Sequence, residues 1–463
     1  MKPTVAIAAA GVTILGVSGG WAADVPTNAE RPSDTIERPT NPERPPDTVE
    51  RRWNATYASD VRIFSWRNNF APPPDAPPGS RGKGSELYIP YALQIDGKPT
   101  DVLQVEILGR GGWVKANQFT PGKTGEVALS TDTVASATIA YLGWNGIQPF
   151  VAVQTNLPTG RSALFGTAAN ARMDPDLVEI STFGEGFNIG PTVGFAFPIS
   201  KSLVLTTSAG YTWRGPFLRE ALLTEPDTRL ITQVPTDLNP GNNLTLTGAA
   251  TVKGNELSGR LIGSFSKETA TEQNGTQILR AGNRYVVSGT LAYAWPETPG
   301  EKPLGAKTWG VTTLTASAAH AGRNDILIAG ANALTRELVN SNSNVVRVGV
   351  QHLFPVGQFA AAGPTGSVLY RDRNGYDSAT LQFVPRKVRW SAGLLARYAP
   401  SDTVTFNASV EAVRTHEDEN PAFDFLKFSV TANSFVNAFP VPVVSGTALQ
   451  ATLGINVKMG DTK

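Results

Sequence analysis

Apolar and small polar side chains alternate strictly through Leu203–Arg214. Leu203, Leu205, Thr207, Ala209, Tyr211 and Trp213 fall on one face, and Val204, Thr206, Ser208, Gly210, Thr212 and Arg214 on the other. Successive residues of a β-strand point to opposite faces, so the segment predicts a strand with one greasy and one wet side. The pattern returns at 243–253, where Leu244, Leu246, Gly248, Ala250 and Val252 oppose Asn243, Thr245, Thr247, Ala249, Thr251 and Lys253. Trp390, Ala392, Leu394, Ala396 and Tyr398 likewise oppose Ser391, Gly393, Leu395 and Arg397. Near the end, Leu449, Ala451, Leu453, Ile455 and Val457 oppose Gln450, Thr452, Gly454, Asn456 and Lys458.

Read this way, strands are expected at 134–144, 147–157, 186–197, 203–214, 243–253, 257–266, 284–295, 308–320, 344–354, 359–371, 388–398, 403–414, 424–436 and 447–458. Their lengths suit a tilted membrane crossing, which takes about nine to eleven residues. The expected fold is all-β, a transmembrane antiparallel up-and-down β-barrel of about 16 strands within a range of roughly 14–18.

The connections support that reading. Asn145-Gly146 is a tight hairpin signal. Residues 158–185, 215–242 and 267–283 make long loops, whereas 198–202 and 254–256 are short. Bacterial barrels have short periplasmic turns and long outer loops. The strands as counted leave the C-terminus on the wrong side of the membrane. An added strand at 376–384, after a turn at Asp372-Arg373-Asn374-Gly375, restores the parity. Residues 57–118 hold three further strand-like runs, Val61–Trp66, Glu86–Ile95 and Val102–Leu108. They are expected to be the first barrel strands, with a small periplasmic cap as the alternative.

The N-terminus reads as a secretory signal over residues 1–22. Lys2 gives the positive start, Val5–Val17 the short apolar core, and Gly20-Trp21-Ala22 the cleavage site. Residues 23–56 form a separate proline-rich segment. Glu30-Arg31-Pro32-Ser33-Asp34-Thr35-Ile36-Glu37-Arg38 returns as Glu43-Arg44-Pro45-Pro46-Asp47-Thr48-Val49-Glu50-Arg51. Proline at this density blocks helices and sheet ladders, so the segment is expected to be extended and solvated. It serves as a spacer, or as a tether for a periplasmic partner through 24–52, or as a partial plug of the lumen. The barrel is expected over 57–463.

Composition narrows the chemistry. Hydrophobic residues are 41% of the 463-residue chain, and mean hydropathy is −0.14. A spanning barrel needs no long hydrophobic run, because its lumen face stays polar. A net charge of +1 does not carry the clustered basic excess of a nucleic-acid binder. The absence of cysteine excludes disulfides, thiolate catalysis and cysteine-based metal sites. His320, His352 and His416 are far apart and lack ligand spacing. No cofactor and no metal are expected. The acidic run Glu417-Asp418-Glu419 could hold calcium or lipopolysaccharide, but a solvated charge run is the commoner reading. Ser317 and His320 differ in parity, so they cannot form a nucleophile–base pair on one strand face, and the chain is not expected to be an enzyme.

Two sets of residues carry the functional expectation. Tyr141, Trp144, Tyr211, Trp213, Tyr293, Trp295, Trp390 and Tyr398 sit toward strand ends, where amphipathic rings favour the membrane interface. Lys253, Arg260, Arg284, Arg347, Arg397 and Glu411 fall on polar faces. A charge facing mid-bilayer lipid costs about 2–4 kcal/mol, so these six are expected to line the lumen. They are mostly basic, which favours anionic solutes. The alternative is that they pair and brace the wall.

Asn156-Leu157-Pro158-Thr159-Gly160 opens a long loop, Gly184-Glu185-Gly186-Phe187-Asn188-Ile189-Gly190 starts the next strand, and Gly210-Tyr211-Thr212-Trp213-Arg214-Gly215 closes the one after. This pattern resembles the outer-membrane barrels of meta-cleavage phenol-degradation pathways, which are similar to long-chain fatty-acid channels. The resemblance covers roughly 134–215 by motif and the rest only by strand rhythm. It implies an outer-membrane location in a Gram-negative bacterium, and contacts with outer-membrane lipid, lipopolysaccharide and the barrel-assembly machinery. Two features depart from it. The hatch motif Asn-Pro-Ala of the fatty-acid channels is absent, the nearest string being Asn41-Pro42-Glu43. The chain also finishes Val457-Lys458-Met459-Gly460-Asp461-Thr462-Lys463, without the terminal aromatic of such barrels. The expected function is an outer-membrane channel or transporter for small solutes, anionic or aromatic and hydrophobic. The alternatives are a structural or adhesive barrel acting through its long loops, and a secreted soluble all-β binding protein.

Overall fold

Strands that face lipid on one side must satisfy every backbone N–H and C=O by pairing, and a closed ring is the sheet that leaves no edge. The computed structural model describes residues 52–67, 83–100, 102–118, 123–141, 146–162, 167–170, 184–224, 231–296, 308–327, 331–337, 340, 342–373, 386–418, 426–429, 434–437 and 444–460. Its first strands are β1 (Arg52–Arg67), β2 (Lys83–Lys98), β3 (Leu103–Gln118), β4 (Lys123–Ser130), β5 (Thr133–Ala140), β6 (Gln148–Leu157), β7 (Asn188–Pro198) and β8 (Leu203–Arg214). Then come β9 (Phe217–Thr224), β10 (Ile231–Asn239), β11 (Asn243–Lys253), β12 (Leu257–Glu268), β13 (Thr271–Gln273), β14 (Thr276–Arg280), β15 (Arg284–Pro296) and β16 (Thr308–Ala321). The last are β17 (Asp325–Leu327), β18 (Leu334–Arg336), β19 (Val345–Pro355), β20 (Ala360–Arg371), β21 (Lys387–Tyr398), β22 (Val404–Glu417), β23 (Leu426–Ser429), β24 (Ser434–Asn437) and β25 (Val444–Gly460). A short helix, α1 (Thr167–Asn170), lies against β4.

The wall runs β1–β2–β3, passes through β4 and β5, and continues β6–β7–β8–β11–β12–β15–β16–β19–β20–β21–β22–β25, every pair antiparallel. β25 then returns to β1, from Asn54 opposite Gly460 to Arg67 opposite Thr447. β4 pairs with one half of β3 and β5 with the other, so they fill one position in the wall, broken at Thr131 and Asp132. The 17 strands of this sheet therefore make a closed 16-strand barrel.

Two strand assignments made from sequence are corrected. The segment 424–436 is not a wall strand: β22 pairs directly with β25, and β23 with β24 makes a separate hairpin inside the connection. The strand expected at 376–384 lies outside the described residues, and β20 pairs directly with β21, leaving no place in the wall between them. The parity is restored by removing one strand rather than by adding one, with β1, β2 and β3 completing the ring. A short polar-and-aromatic hairpin has the same local alternation as a wall strand, and only its partner shows which it is.

Both described chain ends lie at one rim, the terminus rim, together with the strand ends that flank 99–102, 141–147, 199–202, 254–256, 297–307, 356–359 and 399–403. The strand ends that flank 158–187, 215–242, 269–283, 322–344 and 418–443 lie at the other, the loop rim. Three of these loops are knitted together. The hairpins β9–β10, β13–β14 and β17–β18 pair edge to edge into a second, six-stranded sheet. The β13–β14 turn is Asn274-Gly275, with φ of 50° and 77°, the left-handed pair that a two-residue hairpin favours. The segment 267–283, expected to be a plain loop, therefore carries a hairpin.

The outer face of the wall is apolar around the whole ring. Ile139, Val193, Leu261, Val350, Leu394 and Leu453 all point outward, Leu394 being 68% exposed and Leu453 60%. Soluble monomers rarely expose a contiguous apolar patch larger than about a few hundred Å². A belt this continuous is the lipid-facing surface of a transmembrane barrel.

Candidate functional site: the inner face of the barrel

Strand alternation decides what the lumen sees. In β8, Leu205, Tyr211 and Trp213 are exposed on the outside, and Arg214 is buried inside. The register places all six charges singled out from sequence on the inner face. Arg260 lies between Thr251 and Thr290. Arg284 lies between Ser266 and Ala321 at the loop rim. Arg347 lies between Ser317 and Leu369. Lys253 is at the terminus rim across from Ser258. Arg397 lies between Ala361 and Asn407. Glu411 lies between Gly393 and Gln450. These six do not converge. They are spread over the wall from β11 to β22 and over its full height.

Glu411 enters a hydrogen-bonded network on the inner wall. Ser391 Oγ donates to Glu411 Oε2 at 2.7 Å, and Ser367 and Ser391 Oγ atoms are 2.7 Å apart. Beside them Arg389 donates to Gln450 at 3.3 Å. Toward the loop rim Glu417 takes both Lys387, at 3.0 Å, and Arg371, at 3.2 Å. Asp418 pairs with Arg386 at 3.0 Å. These acids thus neutralise neighbouring bases, and no metal-ligating cluster forms among the described residues.

Closure of β25 on β1 extends this polar arc to residues that sequence reading missed. Glu411, Gln450, Phe64 and Glu86 stand in one register row across β22, β25, β1 and β2. In the adjoining rows Arg62 pairs with Asp60 at 2.9 Å and lies 5.6 Å from the Tyr88 ring centroid. The glycine opposite Asp60 leaves room for this carboxylate, since a Cβ at Gly454 would come within 2.1 Å of Asp60 Oδ1 and push it aside. Phe64, Trp66, Tyr88, Val114 and Val127 are buried on the inner face toward the loop rim, whereas Asp60, Arg62, Asp96 and Glu106 stay accessible. The signal was present: Asp60, Arg62, Phe64 and Trp66 alternate with Val61, Ile63 and Ser65. It was obscured because large aromatics inside the wall reverse the usual polar-in rule.

The aromatic residues lie in two outer bands. Tyr211, Trp213 and Trp390 are outward at the loop rim, and Tyr141, Trp295 and Tyr398 outward at the terminus rim. Tyr293 donates to Glu256 at 3.1 Å, and Trp295 Nε1 to Thr312 at 2.8 Å. Thr312 Oγ1 is 2.7 Å from His352 Nδ1, also on the outer face. Trp144 lies outside the described residues. Ser317 faces inward and His320 outward, where His320 meets the Tyr285 ring and Asn344.

The motif strings around Asn156 and Glu185 have a structural role. The buried Asp132 carboxylate accepts from Gly160 N at 2.9 Å and from Glu185 N at 2.7 Å. Asn156 Nδ2 also reaches Gly186 O at 2.9 Å, at a glycine with φ of 77°. Thr159 Oγ1 accepts from Thr133 N at 2.9 Å. Both feet of the connection 158–187 are thereby tied to the break between β4 and β5.

No protein-family model and no curated protein matches this chain. Solved structures similar to it include OccK7 (OpdD) of Pseudomonas aeruginosa, 8% identical, which covers 89% of this chain and 100% of its own at a TM-score of 0.40. OprB of Pseudomonas putida is 10% identical over 88% of this chain and 92% of its own, at 0.39. OmpT, an outer membrane protein of Vibrio cholerae, is 10% identical over 88% and 98%, at 0.33. At TM-scores this low the likenesses carry no argument, and the barrel rests on its own strand pairing. No family model supports the narrower likeness to phenol-degradation or fatty-acid barrels.

Proposed function

We propose that the chain forms a channel through the outer membrane of a Gram-negative bacterium and passes small polar solutes, with the loop rim outside and the terminus rim in the periplasm. The observation that carries this reading is the closed 16-strand wall, apolar outside and lined inside by serine, threonine and charged side chains. Barrels of about sixteen to eighteen strands have room for an aqueous lumen. The inner bases Arg260, Arg347, Arg389 and Arg397 lie on strands β12 to β21, which favours anionic solutes, among them the aromatic acids implied by the motif resemblance. The test is liposome swelling and planar-bilayer recording with the purified chain. Small solutes should enter and the current should prefer anions. An inert barrel would leave the liposomes unswollen.

A second reading is a surface barrel acting through its loops. The six-stranded sheet at the loop rim favours it, since three loops that pair into one sheet present a fixed surface. Deleting the β13–β14 hairpin separates the two. A channel keeps its conductance, whereas a surface-acting barrel loses its cell-binding activity and never conducted.

A further inference from the structure

Glu86 is 2% exposed, and neither of its carboxylate oxygens has a hydrogen-bond partner. An ionised carboxylate buried in this way is strongly unfavourable unless a positive group reaches it. Its surroundings on the inner face are mostly rings. Phe64 stands directly opposite on β1 and Ala116 directly opposite on β3. Tyr88 is the next inner residue of its own strand. Trp66 is one step toward the loop rim, its ring laid over Gly84, where a Cβ would lie 2.2 Å from Cζ2. The Phe64 and Trp66 centroids are 5.6 Å apart. Arg62, the nearest inner base on β1, is engaged by Asp60 and by the Tyr88 ring.

Ring faces carry negative electrostatic potential and attract cations. We propose that Glu86, Phe64, Trp66 and Tyr88 form a binding site for the ammonium group of an organic amine that enters the lumen. The ammonium donates to Glu86, and its carbon substituents rest on the rings. A metal ion fits poorly, because Ca²⁺ and Mg²⁺ demand about six or more oxygen ligands and the other walls here are aromatic or alanine. Trp66, whose ring now fills the space left by the missing Cβ at Gly84, is the side chain that must swing to admit the amine. The proposal rests on the channel reading only for the route by which the amine arrives.

The experiment uses the full chain folded in detergent and in planar bilayers, with ethylammonium chloride as probe and sodium chloride as control. Calorimetric titration should show saturable ethylammonium binding, and bilayer currents should show saturable block. E86Q, which keeps the volume and loses the charge, should weaken both at least about tenfold, the worth of one charge-assisted hydrogen bond. F64L should weaken them about threefold through lost cation–π attraction. Each variant is first checked for the heat-modifiable gel mobility of a folded barrel. Equal binding by E86Q and wild type, or no binding by wild type, overturns the proposal. Conductance without ethylammonium binding leaves the channel reading standing and removes the site. Binding without conductance does the reverse.

Discussion

Asn156 Nδ2 donates to the Asp132 carboxylate at 2.7 Å, tying the end of β6 to the break between β4 and β5. With the backbone donors of Gly160 and Glu185, Asp132 holds both feet of the connection 158–187 through three charge-assisted bonds. Such bonds contribute about 1.5–3 kcal/mol each and are not additive, so D132A should destabilise the folded barrel by about 3 kcal/mol. Equilibrium unfolding in lipid vesicles measures the loss, and protease cleavage within 158–187 should become faster. D132N, which can still accept from Asn156, should show a smaller effect. Cleavage at the wild-type rate in D132A would show that the loop is held by something else.

Asp325 offers a contrast at the same rim. It takes Arg280 at 3.0 Å and Arg336 at 2.7 Å. These arginines are 49% and 61% exposed, so water and salt screen the pairs. D325A should therefore change barrel stability by less than about 1 kcal/mol. Its effect should be local, seen as faster amide hydrogen exchange in β14, β17 and β18. The exchange increase should be reproduced in the wild type by raising the salt concentration.

Leu394 and Ser409 test the sidedness of the wall. Leu394 is outward, between Pro364 and Val410, and Ser409 is inward, between Leu395 and Thr452. L394R puts a charge against lipid tails and should cost about 2–4 kcal/mol in vesicle unfolding titrations. S409R puts the same charge in the lumen and should cost far less while changing conductance. Equal costs would mean that the two faces meet the same medium.

The basic lining predicts selectivity. Replacing Arg260 and Arg397 together by glutamine should move the reversal potential in a salt gradient toward the cation value, with conductance of the same order. A reversal potential unmoved by the double substitution would assign these arginines to bracing the wall.

Much of the wall was legible because side-chain direction is local. Leu203–Arg214 and 447–458 show their two faces in any window of a few residues, since the pleat repeats every second residue whatever the strand pairs with. The strings around Asn156 and Glu185 were also visible, although their reason was not: the acceptor they share, Asp132, sits well before them in the chain. The strand expected at 424–436 failed for the same cause, because alternation alone does not say which edge a strand joins.

The sequence by itself determined, for strands such as β8, β11, β21 and β25, which residues meet lipid and which meet water, and hence that Arg260, Arg347, Arg397 and Glu411 turn inward. Only the tertiary structure decided who stands beside whom. Pairing of β25 with β1 brings Gln450 next to Phe64 and Gly454 against Asp60, from opposite ends of the chain. Pairing of three separate loops makes one outer sheet. The physical reason is that direction follows from backbone torsions, which neighbours in sequence fix, whereas partnership follows from closing the ring so that no ladder hydrogen bond is left unmade in lipid.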